Sequence, residues 1–423
     1  MAESRFLFGA STSAYQTEGY ITNSDFYIQE HIPGNSYKEP SGIACDHYHR
    51  YEEDIKLLAG AGLNAYRFSI EWARIQPEKD VWDEKEIRHY KDMITCCREN
   101  GVTPVVTMHH FSTPKWVIGA GGWESRELPG YFAKYCQRMA EELGDLIELV
   151  CTINEANTGV QMAALMADYA KRLGIDLKSK AGAGGSNPFL AARAAYQQRC
   201  REAFGCEGKP QGFLDVRTPD GDKIIQEAHC MARDAMKKVN PNLKIGLTLS
   251  LHDLQPVEGG EERAEEMWTR DFSHYLPAIA EDDFVGAQNY TRKIIGKDGE
   301  IVDPASLKTQ MGYEYYPESV SNVIRHIAED FRNDIYITEN GIATLDDAQR
   351  VKFIETSVPC VLKAKEDGVN VKGYFYWSLL DNFEWQRGFE PHFGLIGVNR
   401  ETMERSPKRS LYTLGSFAAA NRE

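Results

Sequence analysis

The segments Leu149-Val-Cys-Thr-Ile-Asn-Glu155 and Asp334-Ile-Tyr-Ile-Thr-Glu339 lie far apart in the chain, yet each is an apolar, β-branched run that stops at a glutamate. A strand end is a stiff mount, and a carboxylate buried beside one pays a desolvation cost that only a paired or working group offsets. Two such mounts fit the unequal carboxyl groups that break a glycosidic bond. One is protonated and gives its proton to the leaving oxygen; the other is ionised and attacks or positions water. Closeness and burial raise one pKa, while a neighbouring cation or phenol holds the other group ionised, and Arg67 and Tyr290 stand at strand ends suited to that task. Each residue also has a blander reading. Asn154 could cap the following helix with Glu155 at its positive end, Glu339 could face solvent in an Asn-Gly turn, and Arg67 could belong to a structural ion pair. Finding both glutamate tips in one chain favours chemistry.

The elements that must carry these groups are legible as an alternation. Apolar β-rich runs occur at Phe6–Ala10, Ala65–Ser69, Pro104–Met108, Leu149–Ile153, Lys244–Leu249, Phe284–Ala287, Ile335–Thr338 and Gly373–Trp377. Between them lie amphipathic stretches at Tyr48–Ala61, Lys85–Asn100, Tyr131–Leu143, Lys223–Val239 and Val320–Phe331, with apolar residues at three- and four-residue steps. Strand–helix alternation implies parallel strands joined by crossovers, and eight units close a (β/α)8 TIM barrel, the expected α/β fold. In that fold the active site sits at the C-terminal strand ends. Those ends read Gln16 and Glu18, Arg67, His109-His110, Asn154-Glu155, Gln288 and Tyr290, Glu339, and Trp377; the fifth, Leu249-Ser-Leu-His252, is the least informative. The rival open sheet calls for a glycine-rich phosphate turn after an early strand, and the sequence shows none.

One catalytic domain over residues 1–423 is expected, with an elaborated crossover at about 171–222. Within it, Lys178–Pro188 reads as loop and Ala191–Cys200 as helix. A formal charge of −15, with no basic stripe, disfavours nucleic acid or an anionic membrane as partner. No run approaches the length of a membrane span, and the N-terminus lacks a basic region followed by an apolar stretch. The odd count of nine cysteines without Cys-x-x-Cys spacing reads as reduced thiols, so a cytoplasmic protein is expected. Whether identical chains associate is left open.

The last strand runs into Trp377-Ser-Leu-Leu-Asp-Asn-Phe-Glu-Trp385, which offers aromatic faces for a pyranose and acids for its hydroxyls, although such a stretch alone is more often core. The pairs His47-x-His49 and His109-His110 lack metal-site spacing, and adjacent strand residues point to opposite faces. No nucleotide loop, nucleophile elbow or strand-tip lysine appears, so neither a metal nor another cofactor is expected.

Taken together, these tips resemble family 1 of the glycoside hydrolases, the β-glucosidase-type retaining barrels. The resemblance runs through Phe8-Gly-Ala-Ser-Thr-Ser-Ala-Tyr-Gln-Thr-Glu-Gly19, Cys45-Asp-His-Tyr-His-Arg50, Tyr66-Arg-Phe-Ser-Ile-Glu-Trp72, His110 and Pro114, Gly121-Gly-Trp123, Thr152-Ile-Asn-Glu155, Met311-Gly-Tyr-Glu, Ile337-Thr-Glu-Asn-Gly341 and Trp377–Trp385. It implies Glu339 as nucleophile and Glu155 as general acid/base. It further implies Gln16, His110, Asn154, Glu384 and Trp385 as sugar-binding residues, with Asn154 at the 2-hydroxyl, Trp377 as the floor and Tyr290 steadying the nucleophile. Arg67, Gln288 and Tyr313 support them. The implied substrate is a small glycoside or oligosaccharide bearing terminal β-linked glucose, with galactose or fucose as side substrates. The rivals are a 6-phospho-β-glycosidase, whose relatives usually carry small and cationic groups in place of Glu384-Trp385, and a catalytically silent sugar-binding barrel. Three positions depart from the family pattern: Ala156 stands where proline is common, Gln288 where asparagine is frequent, and Tyr313 where tryptophan is frequent.

Overall fold

The computed structural model describes residues 5–173 and 188–421. Eight strands form a closed parallel barrel: β1 (Leu7–Ser11), β2 (Ala65–Ser69), β3 (Thr103–His109), β4 (Leu149–Ile153), β5 (Lys244–Ser250), β6 (Phe284–Gln288), β7 (Asp334–Asn340) and β8 (Val371–Trp377). All eight expected runs are strands, two of them with the expected bounds, one shifted by a residue and five extended by one to three residues, and β1 closes the ring by pairing with both β2 and β8. The expected amphipathic stretches fall in the helices His47–Gly60, Glu84–Glu99, Leu128–Leu143, Pro219–Val239 and Ser319–Asp330.

The helix Glu84–Glu99 shows why these segments fold as they do. The Asp83 carboxylate accepts from the Lys85 and Glu86 amides, acids fill the first turn and Arg98 the last, and Ile87, Tyr90, Met93, Ile94 and Cys97 turn inward. Strand side chains alternate. Leu7, Ala65, Val105, Leu149, Cys151, Phe284, Tyr336 and Phe375 fill the lumen, whereas Phe8, Tyr66, Val106 and Val150 pack outward beneath the helices. Two glycines make room for the large lumen rings: a Cβ on Gly9 would lie 2.7 Å from the Phe375 ring, and one on Gly246 would lie 2.6 Å from that of Phe284.

The crossover after β4 contains the helix Thr158–Leu173 and a second helix, Pro188–Phe204, where the sequence pattern anticipates one. Of the stretch read as loop, Lys178–Pro188, all but Pro188 falls within residues 174–187, outside the described residues. No helix among the described residues is long and apolar enough to cross a membrane.

Candidate active site

The strand ends bring a charged cluster into a largely buried space. Glu339 is 3% exposed, which replaces the solvent-facing turn as its setting. β7 itself runs to Asn340, and Gly341 is needed not for a turn but because a Cβ there would lie 2.1 Å from the Trp377 carbonyl oxygen. A register shift after Ile337 places Glu339 opposite Gln288 on β6. Such irregularities re-aim side chains beside active sites.

Both oxygens of Glu339 are held. Arg67, fully buried, donates from Nη1 to Oε1 at 2.6 Å, and Gln288 Nε2 donates to the same oxygen at 3.1 Å. The Tyr290 hydroxyl donates to Oε2 at 2.5 Å. Burial raises the Glu339 pKa, while Arg67 and Tyr290 oppose that rise. Arg67 also donates from Nη2 to Asn154 Oδ1 at 2.5 Å. Asn154 therefore does not cap the following helix: its Oδ1 accepts from Arg67 and Gln288, and its Nδ2 lies 3.2 Å from His110 Nε2.

Glu155 lies within the electrostatic reach of this carboxylate. Burial and then the Glu339 charge push its pKa up to about 7, with Thr158 and Ser250 as weaker opposing hydrogen-bond donors. Its backbone lies in the left-handed region at φ 45°, which ends β4 abruptly, and its amide donates to Thr248 Oγ1 at 3.1 Å. Ala156, in place of proline, supplies an N–H that donates to the Thr248 carbonyl at 3.0 Å. The Ala156 carbonyl in turn accepts from buried Arg217.

His110, Trp377, Trp385 and Tyr15 form a continuous series of stacked rings. His110 stacks at 5.5 Å on Trp377, and Trp385 stacks at 5.8 Å on Tyr15 with interplanar angle 5°. Trp377 Nε1 donates to Glu384 Oε1 at 3.3 Å, and burial pushes the Glu384 pKa up to about 8. Gln16 Nε2 donates to the Phe383 carbonyl, fixing the loop that carries Glu384. Tyr313 sits at the rim, 39% exposed, with its ring 6.4 Å from Tyr290. His109, by contrast, faces away and packs on Trp123 and Phe213.

Some polar tips do not join this site. Glu18 pairs with Arg74 and accepts from Tyr90, Asp381 pairs with Lys408, and His47 meets Asp54. Sequence reasoning missed Thr248 and Ser250 on β5 and Thr158 after β4. Thr248 and Ser250 alternate with Leu247 and Leu249, so the period-two pattern carried that signal. Among the described residues, no group of three or more His, Cys, Asp or Glu side chains could hold a metal ion.

The chain is similar to the beta-glycosidase BGL167, whose crystal structure superposes with a TM-score of 0.89 at 41% identity, covering 99% of this chain and 97% of that one. Beta-glucosidase A of Acetivibrio thermocellus is 29% identical over 96% of both chains. The 6-phospho-beta-galactosidase of Clostridium acetobutylicum is 27% identical over 96% of this chain and 94% of its own. The glycosyl hydrolase family 1 model matches residues 2–203 and 265–423, well over half of the sequence. The barrel, the paired glutamates and this match make the chain a glycoside hydrolase belonging to glycosyl hydrolase family 1.

Proposed function

We propose that the protein is an exo-acting, retaining β-glycosidase that removes terminal β-linked glucose from small glycosides or oligosaccharides. The observation that carries this reading is the unequal treatment of two electrostatically coupled carboxyls. Glu339 is gripped by Arg67 and Tyr290 in its ionised form, while the Glu155 pKa is pushed up to about 7 so that it keeps a proton near neutrality. In the first step Glu339 attacks the anomeric carbon as the glycosidic C–O bond breaks, and Glu155 gives its proton to the departing oxygen. In the second, Glu155 takes a proton from water, whose oxygen attacks the anomeric carbon and displaces Glu339. Asn154 addresses the 2-hydroxyl, Gln16 and Glu384 the far hydroxyls, His110 and Trp385 hold the ring, and Trp377 forms its floor.

Glucose in place of a 6-phosphorylated sugar is supported by Glu384, which is 7% exposed beside the Trp377 floor and within the field of Glu339. A phosphate brought to that carboxyl would meet a second negative group on losing its proton, and the cation acting there, Arg387, is exposed to solvent. A chromogenic β-glucoside should be turned over with retained anomeric configuration, and Glu339→Ala should lose on the order of 10⁵-fold in kcat. Faster hydrolysis of cellobiose 6-phosphate than of cellobiose would replace this reading with the phosphoglycosidase.

A further inference from the structure

The geometry points to Gln288 as a positioning residue that couples the nucleophile to the group reading the sugar 2-hydroxyl, an inference that rests on the roles proposed for Glu339 and Asn154. Gln288 is fully buried at the end of β6, opposite Glu339 in register. Its single Nε2 donates to Asn154 Oδ1 at 2.7 Å and to Glu339 Oε1 at 3.1 Å, so both amide hydrogens are committed. Its Oε1 is buried without a protein donor. Turning the amide over would set that oxygen against the Asn154 and Glu339 oxygens, so the acceptors themselves dictate the orientation.

Arg67 bridges the same two oxygens from the β2 side, with Nη1 on Glu339 Oε1 and Nη2 on Asn154 Oδ1. Arg67, Glu339, Gln288 and Asn154 thus close a four-membered ring of charge-assisted and amide hydrogen bonds. Within that ring the Asn154 oxygen is pinned from two sides, which turns Nδ2 outward toward His110 and the sugar. A shift of the Asn154 amide as its bond to the 2-hydroxyl tightens is transmitted to the attacking carboxylate through one rigid side chain. An asparagine at 288 is one C–C bond shorter, about 1.5 Å, and cannot keep both contacts from the same backbone position.

The test compares wild type, Gln288→Leu and Gln288→Asn on an aryl β-glucoside and its 2-deoxy counterpart, with full pH profiles. For Gln288→Leu, kcat/KM on the glucoside should fall about 100-fold and on the 2-deoxy substrate about tenfold, so that the ratio between substrates drops about tenfold. Its acid limb should move to higher pH, because the ionised carboxylate has lost a donor. Gln288→Asn should restore either the acid limb or the substrate ratio, not both. Equal losses on the two substrates with an unmoved acid limb, or no loss in either variant, would overturn the proposal. Should Gln288→Leu fail to fold, the polar Gln288→Asn decides by the same two readouts, and restoration of both to wild-type values counts against coupling. The underlying roles fail separately, through turnover surviving in Glu339→Ala.

Discussion

Tyr290 and Arg67 grip opposite oxygens of one carboxylate, the phenol on Glu339 Oε2 at 2.5 Å and the guanidinium on Oε1 at 2.6 Å. Neither oxygen can turn without breaking a charge-assisted hydrogen bond, so the Glu339 side chain is oriented before substrate arrives. Tyr290→Phe keeps the ring and removes only the donor. A hydrogen bond to a charged group contributes about 1.5–3 kcal/mol, so kcat should fall roughly 10- to 100-fold. Because the lost bond favoured the ionised carboxylate, the acid limb of kcat/KM should also shift upward. A variant that loses activity with its acid limb fixed would argue against this role.

The pH dependence follows from the two carboxyls. In the proposed mechanism Glu155 is the proton donor, and its pKa is pushed up to about 7 by burial and by the Glu339 charge, so activity should decline as pH rises through about 7. The same mechanism requires Glu339 ionised. Burial raises its pKa while Arg67 and Tyr290 oppose the rise, so activity should also decline as pH falls through that raised value. The pair titrates together, and the profile should be a narrow bell set by macroscopic constants. Glu155→Gln, assayed with a dinitrophenyl leaving group that needs no proton, should lose the limb near 7. A residual fall near 8 would belong to Glu384, pushed up to about 8 by burial, and should vanish when Glu384→Gln is added. An unchanged limb near 7 in Glu155→Gln would remove that residue from the acid role.

How much of this was readable beforehand depends on which residues are asked. All eight strands announced themselves as short runs rich in β-branched or aromatic residues, and the barrel followed from their number and spacing. The facing of the strand tips did not. Tyr336 points into the lumen, so strict alternation would send Thr338 inward and Glu339 outward; the shift after Ile337 turns Glu339 inward as well, and no local residue signals it. Glu18 and Asp381 fit the polar-tip pattern equally well yet were claimed by Arg74 and Lys408, because chain-distant cations decide where a carboxylate turns. Thr248 and Ser250 were overlooked because hydroxyls in a strand look like ordinary alternation until a glutamate amide is found above them.

The Arg67–Glu339 pair makes a stability prediction distinct from its catalytic one. Both side chains are buried, and removing one charge leaves the other without its partner. Arg67→Met alone should cost about 3–5 kcal/mol in urea unfolding, since a buried carboxylate is then left unpaired. Arg67→Met combined with Glu339→Gln should regain most of that loss, because the remaining groups are neutral. A double mutant no more stable than Arg67→Met would mean that packing, and not charge, sets the cost.

The lumen glycines supply a prediction in which one substitution has opposite signs at two sites. A Cβ on Gly246 would sit 2.2 Å from the Phe284 carbonyl oxygen and 2.6 Å from its ring, and backbone on the neighbouring strand cannot retreat without disturbing the β5–β6 ladder. Gly246→Ala should therefore destabilise by about 1–3 kcal/mol through overpacking. Gly130 lies in the helix Leu128–Leu143, where a Cβ meets nothing within 4 Å. Gly130→Ala should stabilise by about 0.5–1 kcal/mol, because alanine loses less backbone freedom on entering a helix. Paired denaturation curves check both. Equal small effects at the two positions would show that the barrel wall yields to a methyl group, and that the small residue at 246 is not what admits the Phe284 ring.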